Sequence, residues 1–195
     1  VLATFVLLLM IQTSIRRSES ASQILCLMGI GLATATNLYF APTTRLNVTE
    51  MIVVQPLSQF LNLLIFLSAF TTVLLQTRYA KTSREIQDEF YMLTLLATLG
   101  ASILVTANHG AILLLGLELM SLSILAMLGY QRERSLAVET CLKFLILSGA
   151  ASAFLLFGLA LLYASSGSLL LPELLRVTHQ SPEFLHFAQA GLIMV

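Results

Sequence analysis

Two long apolar segments, separated by one short charged turn, most constrain what this sequence can fold into. Residues 110–130 contain a single charged side chain, Glu118, and residues 136–164 contain only Glu139 and Lys143. Each segment is long enough to cross a bilayer, which takes about 20 residues as a helix. Because a charge at the centre of a membrane helix costs at least about 2.5 kcal/mol, these three side chains need a structural or functional reason.

Composition indicates that the whole chain lies in a membrane. Of its 195 residues, 57% are hydrophobic and only 10% are charged, whereas a soluble domain is about 25% charged. The net charge of zero argues against nucleic-acid binding. Two isolated cysteines, Cys26 and Cys141, are too few to ligate an iron–sulfur cluster. We find no phosphate loop, nucleotide fingerprint, zinc motif or hydrolytic triad.

The apolar segments predict an all-α, polytopic transmembrane bundle. The predicted helices are residues 1–15, 24–41, 56–76, 90–107, 110–130 and 136–164, with a seventh beginning near 184. Residues 43–50 and 169–183 are predicted to be loops, and residues 82–85 have capping-box spacing. Because the sequence begins with Val1 and ends inside an apolar run, we expect it to be part of a longer polypeptide.

The basic residues predict an orientation. Loops after the first, third and fifth helices contain seven Lys or Arg residues, and loops after the second and sixth contain two. By the positive-inside rule, the first set of loops faces the cytoplasm or the mitochondrial matrix. We call this side the basic face.

Glu118 is predicted to lie near mid-membrane, about 18 Å from the end of its helix at Tyr130. Burial favours the neutral form of a carboxyl group, so Glu118 could take up and release a proton. Ser121 lies one turn away on the same face, where its hydroxyl can bind water. The sequence thus favours a proton-relay station, and a neutral, hydrogen-bonded structural glutamate is the alternative.

Lys143 has two interpretations. It lies about 10 Å from the basic face, so it could extend its amine to the interface. Alternatively it faces Glu118 across the hairpin, offset by roughly 8 Å, and couples to it through water. Glu139, one turn earlier, could be an entrance residue or simply an acid favoured at a helix N-terminus. The small residues at 148–153 are typical of close helix packing, which would hold Lys143 toward the interior.

Several segments together resemble subunit N of the proton-translocating NADH:quinone oxidoreductase, respiratory complex I, whose mitochondrial counterpart is subunit 2. The similar residues are Asp88-Glu89-Phe90-Tyr91, Asn108-His109, residues 116–122, Gly129-Tyr130, residues 142–144 and residues 150–158. The resemblance is strong over residues 88–168 and looser before them. Ser123 departs from it, because the family commonly has Pro at this position.

The resemblance implies an antiporter-like fold of inverted repeats with half-channels. Residues 1–89 would then be three N-terminal helices, and residues 90–195 would begin the first repeat. The family's key glutamate falls on Glu118, its helix-six lysine on Lys143, and the preceding acid on Glu139. NADH, FMN, iron–sulfur clusters and quinone are expected on partner subunits, with this chain in a bacterial inner or mitochondrial inner membrane.

Two other functions stay open at this stage. One is a subunit of a multi-subunit cation/proton antiporter, and the other is a non-conducting scaffold for neighbouring membrane subunits.

Overall fold

The computed structural model of the chain describes residues 1–15, 19–40, 46–80, 88–130 and 135–173. These residues form helices and one small sheet. In chain order the elements are α1 (Leu2–Ile15), α2 (Glu19–Tyr39), β1 (Leu46–Thr49), β2 (Ile52–Val54), α3 (Pro56–Ala80), α4 (Asp88–Thr106), α5 (Gly110–Leu128) and α6 (Ser135–Ser166).

Length and composition explain why these segments are helical. In the described part of the chain, α2 to α6 are each long and apolar enough to cross a membrane, and α1 is a shorter apolar helix. Apolar segments in a bilayer must satisfy their backbone groups internally, which a helix does. The predicted membrane-spanning helical bundle is confirmed. The capping box at 82–85 and the seventh helix lie outside the described residues.

The prediction of a plain loop after α2 is wrong. An antiparallel hairpin spans residues 46–54, with Leu46 paired to Val54 and Thr49 to Ile52. Residues 46–50 of this hairpin fall within the predicted loop. The β-branched residues in both strands favour this conformation. The sequence nevertheless predicts a loop here, because polar residues and Pro42 are typical of loops. The helix start at Pro56, where proline lacks an N–H that would be unpaired anyway, is confirmed.

The first four helices share one apolar core. Helix α2 packs against α1, α3 and α4, and α4 also contacts α1 and α3. Leu9, Ile30, Val73 and Leu95 are fully or almost fully buried where these helices meet. We call α1 to α4 the N-terminal bundle.

Helices α4 and α5 form a tight antiparallel hairpin because glycines meet at their contact. A Cβ atom on Gly100 would lie 2.7 Å from the backbone nitrogen of Met120, and one on Gly116 would lie 2.9 Å from that of Leu104. Side chains larger than hydrogen would therefore force the backbones apart. The short connection at residues 107–109 is consistent with the prediction that these helices are antiparallel neighbours.

On the side opposite to the basic face, backbone hydrogen bonds join three connections. Asn108 donates its N–H to the Met51 carbonyl (2.9 Å), and Leu171 donates to the Asn108 carbonyl (3.0 Å). His109 caps α5, since its Nδ1 accepts the N–H of Ala111 at 3.2 Å. The hairpin, the α4–α5 turn and the segment after α6 thus fix the N-terminus of α5.

Candidate functional site

Glu118 lies near the middle of α5. It is eight residues from Gly110 and ten from Leu128, or about 12 and 15 Å along the helix axis. The residue is half-buried. Among the described residues, its carboxylate has no hydrogen-bond or ion-pair partner. The structure therefore places this carboxyl group near the middle of its helix, unpaired among the described residues.

Ser121 and Ser123 accompany Glu118 on α5. The Ser121 hydroxyl donates to the Glu118 backbone carbonyl at 3.0 Å, so its proton is not directed at the carboxylate. Its lone pairs remain free to accept from water. Buried Ser123 donates to the Leu119 carbonyl at 2.7 Å. The helix runs unbroken through Ser123, where the family commonly has Pro.

Contacts between α5 and α6 fix the relative depth of Glu118 and Lys143. The Cys141 thiol donates to the Leu125 carbonyl at 3.7 Å, and the Leu159 side chain lies against Gly110. Counting along the antiparallel helices from these contacts places Glu118 level with about Ala150. Lys143 is then about seven residues, or roughly 10 Å, closer to the basic face.

Lys143 binds Glu139 rather than Glu118. Its Nζ donates to Oε1 of Glu139, one turn earlier on α6, at 2.5 Å, and the two side chains are 75% and 59% exposed. The structure thus brings two of the three sequence-predicted side chains together and leaves Glu118 apart from them. Lys143 and Glu118 thus form no closed ion pair in this structure, and their coupling through water stays a prediction.

Three members of the small-residue run of α6 lie on an open side of the helix within the described residues. A Cβ atom on Gly149 would meet nothing within 4 Å, and Ala150 and Ala153 are exposed. The expectation that this run holds Lys143 toward an interior is therefore not met by the described helices. The close helix contact is made instead by Gly100 and Gly116, which the sequence analysis did not single out.

A polar contact at the basic face was also missed. The Tyr130 hydroxyl, just after α5, donates to Oε2 of Glu89 in the first turn of α4 at 2.8 Å. This bond joins the two ends of the α4–α5 hairpin. The antiparallel pairing of the two helices could have predicted it, because it places residues 89 and 130 at the same depth.

The donor atoms for a metal or cluster are not assembled in the described part of the chain. It contains no group of three or more His, Cys, Asp or Glu side chains arranged to hold a metal ion. Cys26 and Cys141 are both free thiols. What the described residues offer is a carboxyl group near the middle of α5 and an ion pair nearer to the basic face.

Comparison with known proteins finds similar proteins by sequence and by structure. Residues 107–195 match the model of the family described as NADH:quinone oxidoreductase/Mrp antiporter, TM. The chain is 39% identical over 165 residues to NADH-quinone oxidoreductase subunit N of Nitrosomonas europaea. That alignment covers 85% of this chain and 34% of the relative, so the chain spans about a third of its length.

Two solved structures have the same fold over 99% of this chain. A chain of respiratory complex I from Thermus thermophilus with bound aureothin superposes with a TM-score of 0.80 at 28% identity. A chain of the archaeal membrane-bound sulfane sulfur reductase superposes with a TM-score of 0.78 at 20% identity, which is evidence of shared fold alone. This chain covers 41% of each of them. The predicted antiporter-like fold is confirmed.

Proposed function

Because residues 107–195 match the model of the NADH:quinone oxidoreductase/Mrp antiporter transmembrane family, we propose that this chain is part of a membrane-arm subunit of an NADH:quinone oxidoreductase. In this role it takes part in translocating protons, coupled to electron transfer from NADH to quinone. The observation that carries the proposal is Glu118, a carboxyl group half-buried near the middle of α5 without a protein partner among the described residues.

The proposed role of Glu118 is to bind and release a proton. Its carboxylate has no hydrogen-bond or ion-pair partner among the described residues, so the group is available to exchange a proton with water. The acceptor lone pairs of Ser121 offer a place for water beside it.

Lys143 and Glu139 are proposed to act on the basic-face side of Glu118. Their ion pair lies about 10 Å closer to that face, a distance that water molecules can bridge. When the pair opens, the Lys143 ammonium becomes available to stabilise a charged Glu118, and Glu139 becomes available to accept a proton from the basic face. We therefore propose Glu118 and Lys143 as the relay and Glu139 as its entrance.

The proposed partners are the other membrane-arm subunits of the oxidoreductase and the surrounding lipid. NADH, FMN, iron–sulfur clusters and quinone would be bound by those partner subunits. This agrees with the relatives, which include a subunit of NADH-quinone oxidoreductase and a chain of a respiratory complex. The proposed location is a bacterial inner membrane or the mitochondrial inner membrane.

The test is proton pumping by the assembled complex in sealed vesicles. We expect Glu118→Gln, which keeps the shape of the side chain and removes its titration, to lower the number of protons moved per NADH oxidised while oxidation is partly kept. Leu122→Ala, one turn away and exposed, is the control and should leave the ratio unchanged. Normal pumping by the Glu118→Gln complex would contradict the proposal.

A cation/proton antiporter is the second candidate, because the matching family also covers Mrp antiporters. Sodium-dependent proton exchange by vesicles that contain this protein, without any NADH dehydrogenase subunit, would favour it.

A scaffold role is favoured by the exposed face of α6, which is suited to contact with another subunit. In that case Glu118→Gln and Lys143→Ala would lower the amount of assembled complex seen on native gels. The activity per assembled complex would be unchanged.

A further inference from the structure

One buried side chain in the N-terminal bundle has neither a protein donor nor a protein acceptor. Gln76, near the end of α3, is only 7% exposed, and both its Oε1 and Nε2 lack a hydrogen-bond partner in the described structure. Oε1 of Gln12, near the end of α1, is likewise buried and unpaired. Burying a polar group without a hydrogen-bond partner lowers the free energy of unfolding by about 1–3 kcal/mol.

Helix register places the two glutamines in one layer with Ser22 of α2. The contact between Gly29 and Phe5 fixes the pairing of α1 with α2, and counting from it brings Gln12 level with Ser22. The hydrogen bond from Asn37 to the Gln59 carbonyl fixes the pairing of α2 with α3. Counting from that bond puts Gln76 within about 3 Å of the same depth.

Ser22 occupies the centre of this layer. It is fully buried, and its helix contacts α1, α3 and α4. The layer lies close to the basic face, because Gln12 is three residues from the end of α1 and Gln76 four from the end of α3, or about 5 and 6 Å. Water therefore has a short route into it from the loops on that side.

A row of hydroxyl groups on α4 begins deeper in the bundle than this layer. Thr94 and Thr98 are buried, and each donates to the backbone carbonyl four residues earlier. One turn deeper, Ser102 donates to Oδ1 of Asn62 on α3 at 2.9 Å. Counting from that bond places Gln76 level with the start of α4 and Thr94 about 9 Å deeper.

We propose that Gln12, Ser22 and Gln76 bind a buried cluster of water molecules at the basic end of the N-terminal bundle. Water fits because Gln76 offers both an unpaired donor and an unpaired acceptor, and a water molecule supplies both kinds of partner. A metal cation would satisfy the oxygens but leave Nε2 without an acceptor. This inference does not depend on the proposed proton translocation.

The direct test is a cryo-electron microscopy map of the intact membrane protein at a resolution that shows water. We expect peaks within hydrogen-bond distance of both amide atoms of Gln76 and of Oε1 of Gln12. Amide groups that contact only apolar atoms, or that bond directly to protein groups, would overturn the proposal. A single peak ringed by oxygen ligands, with Nε2 still unpaired, would indicate a cation and overturn it as well.

Hydroxyl radicals generated by X-rays give an independent readout, because they modify side chains next to bound water. Tyr91 is 3% exposed and lies in the second half-turn of α4, beside the layer. We expect it to be modified in the native protein and several-fold less in Gln76→Leu and in Gln12→Leu. Thr72→Val, which removes an exposed hydroxyl from α3, should change nothing. An unmodified Tyr91 in the native protein would overturn the proposal.

Discussion

The N-terminal bundle and α6 have similar apolar composition but opposite packing. In the bundle, large side chains such as Leu95 and Val73 are fully buried between helices. On α6, Leu147 and Ile146 are more than 70% exposed, and so is the Lys143 side chain. Within the described residues, the bundle thus completes its own core, whereas α6 presents an apolar face that also carries an ion pair.

This difference teaches that apolar composition predicts a span but not which of its faces meets protein. Lipid tails are as apolar as leucine, so the hydrophobic effect does not choose between lipid and a neighbouring helix. An exposed ion pair does distinguish between lipid and protein, because charged side chains are costly to place against acyl chains. We therefore expect the face of α6 with Glu139 and Lys143 to lie against protein or water in the full protein.

The largest expected effect concerns the glycines. Gly100→Ala would place a methyl group against the backbone of α5, and overpacking of this kind costs up to about 3 kcal/mol. Gly149→Ala has open space in the described structure, and because both changes gain the same helix propensity, it is the matched control. The measurement is the free energy of unfolding in detergent micelles.

The glycine comparison can also fail in an informative way. If Gly149→Ala destabilises the full protein as much as Gly100→Ala, α6 is covered by a closely packed helix. If neither substitution changes the free energy of unfolding, the α4–α5 contact is looser than in the structure. Gly31→Ala, on the open side of α2, serves as a second control for the propensity gain.

The next effect separates a buried leucine from an exposed one. Leu95→Ala leaves a cavity inside the bundle, which we expect to cost about 2 kcal/mol, the low end of the range for such changes, because the removed atoms lose packing but not a lipid-like medium. Leu147→Ala should be close to neutral in the same unfolding measurement. Equal losses for the two variants would contradict the contrast between the bundle and α6.

The smallest effect concerns the cap of α5. His109→Ala removes the acceptor for the Ala111 N–H and should cost about 1 kcal/mol. His109→Asn should retain most of the stability, since asparagine is a good capping residue. If both variants lose the same amount in thermal unfolding, the ring of His109 contributes by packing rather than by capping.

The sequence was sufficient to predict the helices of the described part, because each has a long apolar run, and Pro56 and Gly110 mark two of the starts directly. The start of α2 is less well predicted: it lies at Glu19, five residues before the expected one, because the polar residues there hide the first turn. The sequence also predicts a position for Glu118 near the middle of its helix, which is where α5 has it. It failed for the hairpin at residues 46–54, where short β-branched strands lie within a polar stretch. It could not give the direction of Lys143, because α6 is apolar on all sides and its sequence does not indicate which face packs on α5.

The most direct test of the central claim is whether Glu118 changes its protonation during turnover. Infrared difference spectra of the assembled complex, at rest and while oxidising NADH, report the C=O stretch of a protonated carboxyl group. We predict a band that changes on turnover, shifts in heavy water and is absent from Glu118→Gln. Spectra of the native and Glu118→Gln complexes that are identical in this region would contradict a proton-relay role for Glu118.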